Sequence, residues 1–157
     1  MKILLLVVGK TDSSAYSQAI DDYGKRINRY LPFDVSVVPD LKNTRNLPEA
    51  LQREKEGELI LKALQPGDYC VLLDERGKSF TSEAFAAYVE SKLQTVRKRL
   101  VFIIGGPYGF SPEVYAAARE RLSLSSMTFS HQMIRLIFSE QLYRAMTILN
   151  NEPYHHS

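Results

Sequence analysis

The first eight residues, MKILLLVV, are almost continuously apolar, and Gly9 ends the run. A half-wet strand alternates polar and apolar positions, so an unbroken run of this kind predicts a central strand covered on both faces. Tyr16, Ile20, Tyr23, Ile27 and Tyr30 then recur at spacings of four and three. That spacing lays one apolar stripe along a helix that starts near Ser13 or Ser14 and is closed by Pro32. Phe33 to Val38 alternates and is rich in valine, which predicts a second strand, and the polar stretch from Asp40 to Asn46, holding Lys42 and Arg45, predicts a loop.

Pro48 suits the first turn of a second helix reaching about Leu64, with Leu59, Ile60, Ala63 and Leu64 as its buried corner; the Pro66, Gly67, Asp68 turn stops it. Tyr69 to Leu73 predicts a third strand, Thr81 or Ser82 can cap a third helix through about Val96, and Leu100 to Ile104 predicts a fourth strand. Ser111 can cap a short helix with Pro112 at its first position, and Leu122 to Phe129 reads as a fifth strand or an extended loop. The last helix is expected to begin at Ser130 or His131, with Ile134, Ile137, Phe138, Gln141, Ala145 and Ile148 as its stripe, before the polar tail from Asn151 to Ser157. Strands alternating with helices predict an α/β domain: a mostly parallel sheet flanked by helices on both faces. Ligands of such sheets sit beyond the C-terminal strand ends, which directs attention to the segments after Leu73, after Ile104 and around Phe129.

Composition changes this picture little. With 157 residues, 45% hydrophobic and 24% charged, the chain is expected to form one ordinary globular domain spanning residues 1–157. The N-terminal run is far shorter than a bilayer span and is followed by no small-residue cleavage pattern, which argues against a leader or a membrane segment. The single cysteine, Cys70, lies in an apolar run, where core packing is its expected role, and a chain without disulfide partners fits a reducing cytoplasmic setting. A net charge of +2, from 20 basic and 18 acidic residues, does not argue for nucleic-acid binding by itself. Any RNA contact is expected to be a local patch.

The residues with chemical potential are few. In the Gly105, Gly106, Pro107, Tyr108, Gly109 stretch, missing side chains let backbone approach a ligand, although a tight strand-to-helix turn explains the same residues. The stretch has neither the spacing of a dinucleotide fingerprint nor the ending of a P-loop. His155 and His156 stand beside Tyr154 in the tail, as a functional hook or as a frayed end. One cysteine and two adjacent tail histidines do not supply a zinc site, so no metal is expected. His131 opens the last helix, where a neutral role is at least as well supported as catalysis. Arg135 and Arg144, nine positions apart, do not share a helix face, and single arginines are most often solvated surface charge.

At IIGGPYGFSP, and more so at SLSSMTFSHQMIRLIFSEQLYRAMTILNNEPYHHS, the sequence resembles the 23S rRNA pseudouridine N3-methyltransferases of the SPOUT superfamily. The likeness extends over nearly the whole chain, through MKILLLVVGK, KEGELIL and LLDERGK to the terminal PYHH. It implies a SPOUT-type α/β fold with a C-terminal deep trefoil knot within about residues 70–157, and a homodimer. It implies S-adenosylmethionine held by Leu73, Gly105 and the segment Leu124, Ser125, Ser126, Met127, Thr128 and Phe129. The implied substrate is N3 of a pseudouridine in the helix 69 loop of 23S rRNA, within the ribosome. His155, Tyr154 and Arg144 would then serve methyl transfer, and Arg135, His131 and His156 would meet RNA. Three positions depart from the family's usual pattern: Tyr108 replaces an acidic residue or Asn, Ser130 a Pro, and His156 a frequent Arg. Ser130 remains a sound helix cap. Two other readings are a non-catalytic ribosome-binding or assembly factor, which binding of S-adenosylmethionine discriminates, and a knotted methyltransferase of transfer RNA, against which only the C-terminal block speaks.

Overall fold

A computed structural model describes residues 1–156; Ser157, the end of the expected tail, lies outside the described residues. The elements run β1 (Lys2–Val8), α1 (Ser14–Ile27), β2 (Phe33–Val38), α2 (Glu49–Ala63), β3 (Tyr69–Ser79), α3 (Ser82–Thr95), β4 (Arg99–Ile104), α4 (Pro112–Ala117), β5 (Glu120–Ser123) and α5 (Met133–Leu149). The strands pair in the order β2-β1-β4-β3-β5, every pair parallel. Parallel neighbours need crossovers, and the helices supply them on both faces.

The apolar N-terminal run is explained by those two faces. Ile3, Leu5 and Val7 join one core cluster with Ile27 of α1, Phe85 and Val89 of α3 and Phe138 and Leu142 of α5. Leu4, Leu6 and Val8 point the other way, into a second cluster with Ile60 of α2 and Val114 of α4. On the first face α5 packs against both α1 and α3; on the second, α2 packs against α4. Cys70 belongs to the second cluster, and burial pushes its thiol up to about 11, which makes it a packing residue.

Helix starts follow the expected chemistry. The side chains of Ser13, Thr81 and Ser111 accept hydrogen bonds from the amides of Tyr16, Ala84 and Val114, and Pro112 opens α4. Other boundaries differ. Pro48 stands just outside α2 as its cap position, and the buried face of α2 consists of Gln52, Glu56, Gly57 and Ile60, with Leu59, Ala63 and Leu64 only partly buried. The fifth strand is Glu120–Ser123, so Leu124 to Phe129 is loop, and α5 begins at Met133. Ser130 still caps the turn before it: its Oγ accepts from the Met133 amide at 3.1 Å.

The largest difference is β3, which continues past Leu73 to Ser79. Leu73 and Lys78 both register with Leu122, so residues 74–77 leave the ladder as an irregularity and the chain rejoins β5 beyond it. Gly77 permits the return, since a side-chain carbon there would fall 2.5 Å from the Leu122 backbone nitrogen.

Phe138 is fully buried, with its ring 4.8 Å from that of Phe102 and 6.4 Å from that of Phe85. Phe138→Ala is expected to destabilise the fold by about 3–5 kcal/mol, read by denaturant unfolding. A loss below about 1 kcal/mol would contradict its central place in the core.

Candidate functional site

At the irregularity of β3 and the C-terminal ends of β4 and β5 lies a cavity of about 370 Å³, a size suited to a small ligand. Leu73, Gly105, Leu124, Ser125, Met127, Thr128 and Phe129 all line it; of the expected cofactor residues only Ser126 does not. Gly105 is tightly enclosed, since a side-chain carbon there would meet the Phe110 ring at 3.0 Å and the Gly109 carbonyl oxygen at 3.3 Å. Gly109 has φ +81°, the left-handed region that favours glycine, and its amide donates to the Gly106 carbonyl at 3.2 Å. The Gly-rich stretch is thus both a tight turn and a cavity wall.

The opposite wall is held by its own serines. Ser123 Oγ donates to the Ser125 carbonyl at 2.9 Å, and Ser125 Oγ accepts from the Met127 amide at 2.9 Å. Asp74 and Glu75, at the β3 irregularity, bring two carboxyl groups to the cavity. Asp74 accepts from the Tyr115 hydroxyl at 2.6 Å and the Arg76 amide at 3.0 Å; burial and this bond both push the Tyr115 phenol up. Glu75 accepts from Thr128 Oγ1 at 3.2 Å, joining the two walls. Neither carboxylate was singled out from sequence, although the strand-end rule pointed to the segment just after Leu73.

His131 lines the cavity, whereas Arg135 does not. The expectation that Arg135 meets RNA is corrected here, because its side chain is enclosed at 1% exposure. Its guanidinium donates to the carbonyls of Val8 at 2.7 Å, Gly9 at 2.8 Å and His131 at 3.2 Å, and to Thr11 Oγ1 at 3.1 Å. Burial without a bonded carboxylate lowers its pKa. Gln132 reinforces the link, accepting from the Asp12 amide and donating to the Lys10 carbonyl. The start of α5 is thereby fastened to the end of β1.

Arg144, at about 100° per residue, points to the side of α5 opposite Arg135. It bonds Glu140, lies 4.8 Å over the Tyr154 ring, and donates to His155 Nδ1 at 3.0 Å. Arginine offers no acceptor, so Nδ1 must accept, and the proton of this ring sits on Nε2, which donates to Glu83 Oε1 at 2.7 Å. That bond lowers the Glu83 pKa. The tail is therefore a docked structure on α3 and α5. None of Tyr154, His155 or His156 lines the cavity of its own chain, and His156 is exposed.

Comparisons with known proteins bear on the family and the fold. A family profile described as "Predicted SPOUT methyltransferase" matches residues 1–155. The chain belongs to the SPOUT methyltransferase family. It is 68% identical over 156 residues to the ribosomal RNA large subunit methyltransferase H of Parabacteroides distasonis, covering 99% of each chain. It is 56% identical, with the same coverage, to the protein of that name from Christiangramia forsetii. A probable methyltransferase from Bordetella pertussis shares the fold at TM-score 0.54 and 13% identity, over 92% of this chain and 94% of that one. Among the described residues, no group of three or more His, Cys, Asp or Glu could hold a metal ion, and no helix is long and apolar enough to cross a membrane.

Two substitutions separate the arginines. Arg135→Met is expected to lower unfolding stability by at least about 2 kcal/mol, because buried carbonyls lose their donors; unchanged stability would contradict the fastening role. Arg144→Ala should leave the core intact and raise amide hydrogen exchange over residues 152–156, whereas unchanged protection there would show that the tail docks without it.

Proposed function

We propose that the cavity binds S-adenosylmethionine and that the chain methylates large-subunit ribosomal RNA, at N3 of a pseudouridine in the helix 69 loop of 23S rRNA. The observation that carries this reading is the meeting of Leu73, Gly105 and the 124–129 segment around one cavity. The lining suits a cationic donor. Asp74 and Glu75 face the space, and among the described residues no lysine or arginine lines it. Leu73, Ile104, Leu124 and Phe129 offer apolar surface to an adenine ring. The names of the full-length relatives support the ribosomal target.

When bound, S-adenosylmethionine supplies a methyl group activated on a sulfonium sulfur. The protein's task is to present N3 of the base in line with that methyl group while the imide proton passes to solvent, so that the N3–H bond is replaced by N3–CH3 and S-adenosylhomocysteine is left. The tail serves this task from a second copy of the chain. On its own protomer it rests on α3 and α5, away from the cavity, while Met127, 75% exposed, and Phe129, 42% exposed, leave apolar surface at the cavity for a partner to cover. In the resulting homodimer, His155 Nε2–H exchanges Glu83 for a carbonyl of the base, Arg144 orients the ring, Tyr154 anchors the tail, and His131 and His156 meet RNA.

The trefoil knot belongs to the same proposal. It is supported by the path of the chain after β5, which crosses from the sheet edge past the ends of β3 and β4 to the end of β1. The small net charge supports a target presented by the assembled ribosome in the cytoplasm, since this chain alone neutralises few phosphates.

Ribosomal RNA from cells lacking the protein should lose one methylated pseudouridine by mass spectrometry; an unchanged modification pattern would refute the assignment. His155→Ala should slow methylation about 100-fold while S-adenosylhomocysteine binds as before. An unchanged rate would remove the tail from the reaction.

A further inference from the structure

Glu56 of α2 is 4% exposed, and its Oε2 takes a hydrogen bond of 3.3 Å from Gln52 Nε2. Its other oxygen, Oε1, has no partner, which among the described residues is true of no other enclosed side-chain nitrogen or oxygen. Burial raises the Glu56 pKa, Asp40 adds to the rise, and the Gln52 bond opposes it. A polar atom left in this state calls for a reason of position, because enclosed polar groups are otherwise satisfied.

What Glu56 presses on is the cavity's Gly-rich wall. A side-chain carbon at Gly106 would fall 2.6 Å from Glu56 Oε1 and 2.8 Å from Oε2. Gly106 is not among the residues with positive φ, so the obstacle to a side chain there is the Glu56 carboxyl, which its burial and the Gln52 bond hold in place. Gly106 also accepts the Gly109 amide bond that closes the turn, and both line the cavity. Helix α2 is packed closely against the start of α4 beside this contact. At Gly57 a side-chain carbon would lie 2.4 Å from Ser111 Oγ, the atom that caps α4.

We propose that Glu56 is a positioning residue of the cavity: the bulk of its carboxyl behind Gly106 sets the path of the Gly105–Gly109 turn and, through it, the affinity for the methyl donor. The last clause rests on the donor-pocket reading above. Glu56 touches neither donor nor RNA, and its effect travels through one steric contact.

The test uses the full chain and four variants, with S-adenosylhomocysteine affinity by calorimetry and amide exchange of the ligand-free turn. Gly106→Ala should weaken binding about tenfold, and Glu56→Ala added to it should recover most of that loss, because the new methyl group takes the vacated space. Glu56→Gln, equal in shape, should bind within about threefold of the wild type. Glu56→Ala alone should speed exchange of the Tyr108 and Gly109 amides about tenfold, with core helices unchanged. The proposal is overturned if the double variant binds as weakly as Gly106→Ala, or if exchange of the turn is indifferent to Glu56→Ala. The exchange measurement decides the point even where Gly106→Ala fails to fold. A wild-type chain that binds no S-adenosylhomocysteine would sink the donor reading alone, since the exchange contrast still reports on the wedge.

Discussion

Fastening of α5 to the end of β1 by the Arg135 guanidinium is the interaction on which the site depends. Carbonyls at the C-terminal end of a strand have no partner within the ladder, and here two of them, Val8 and Gly9, are met together with the His131 carbonyl and the Thr11 hydroxyl by a single planar fork. Lysine, a point donor on a flexible stem, could not serve Val8 and Gly9 together while reaching back to His131. Because β5 is at one edge of the sheet and β1 is two strands further in than β3, the segment between β5 and α5 has to cross the ends of β3 and β4. That crossing makes a wall of residues 124–131 and encloses the cavity between them, Leu73 and the Gly-rich turn.

The chemistry of the cavity follows from what each crossing brings. The β3 irregularity delivers Asp74 and Glu75 where a regular strand would have continued into the sheet, and Tyr115 of α4 holds the first of them. The serine bonds within 123–127 give the opposite wall a shape of its own. Two carboxylates in a largely apolar enclosure favour a positively charged ligand, because among the described residues no lysine or arginine in the lining competes for them.

Much of this was legible in the residues, and the reasons are specific. MKILLLVV reads as a covered central strand because alternate residues serve two different cores, and each capping Ser or Thr declares a helix start through its own short-range bond. The position of the cavity followed from the strand-end rule. What escaped was decided by distant partners. Arg135 finds its acceptors 126 and 127 residues away, so its ordinary surface preference misled. The α2 face carries Gln52, Glu56 and Gly57 where apolar residues are expected, since it packs against a glycine turn and a serine rather than against a wide apolar surface. The DERGK stretch is polar and lies past the expected end of the third strand at Leu73, and only the register of Lys78 with Leu122 returns the chain to the sheet.

The central claim is that three separated stretches form one donor site at the strand ends. Amide chemical-shift mapping with S-adenosylhomocysteine tests it most directly. The account predicts perturbations centred on Leu73, Gly105 and Met127 together, and shifts confined to the docked tail, or to the α2 surface away from the Gly-rich turn, would contradict it.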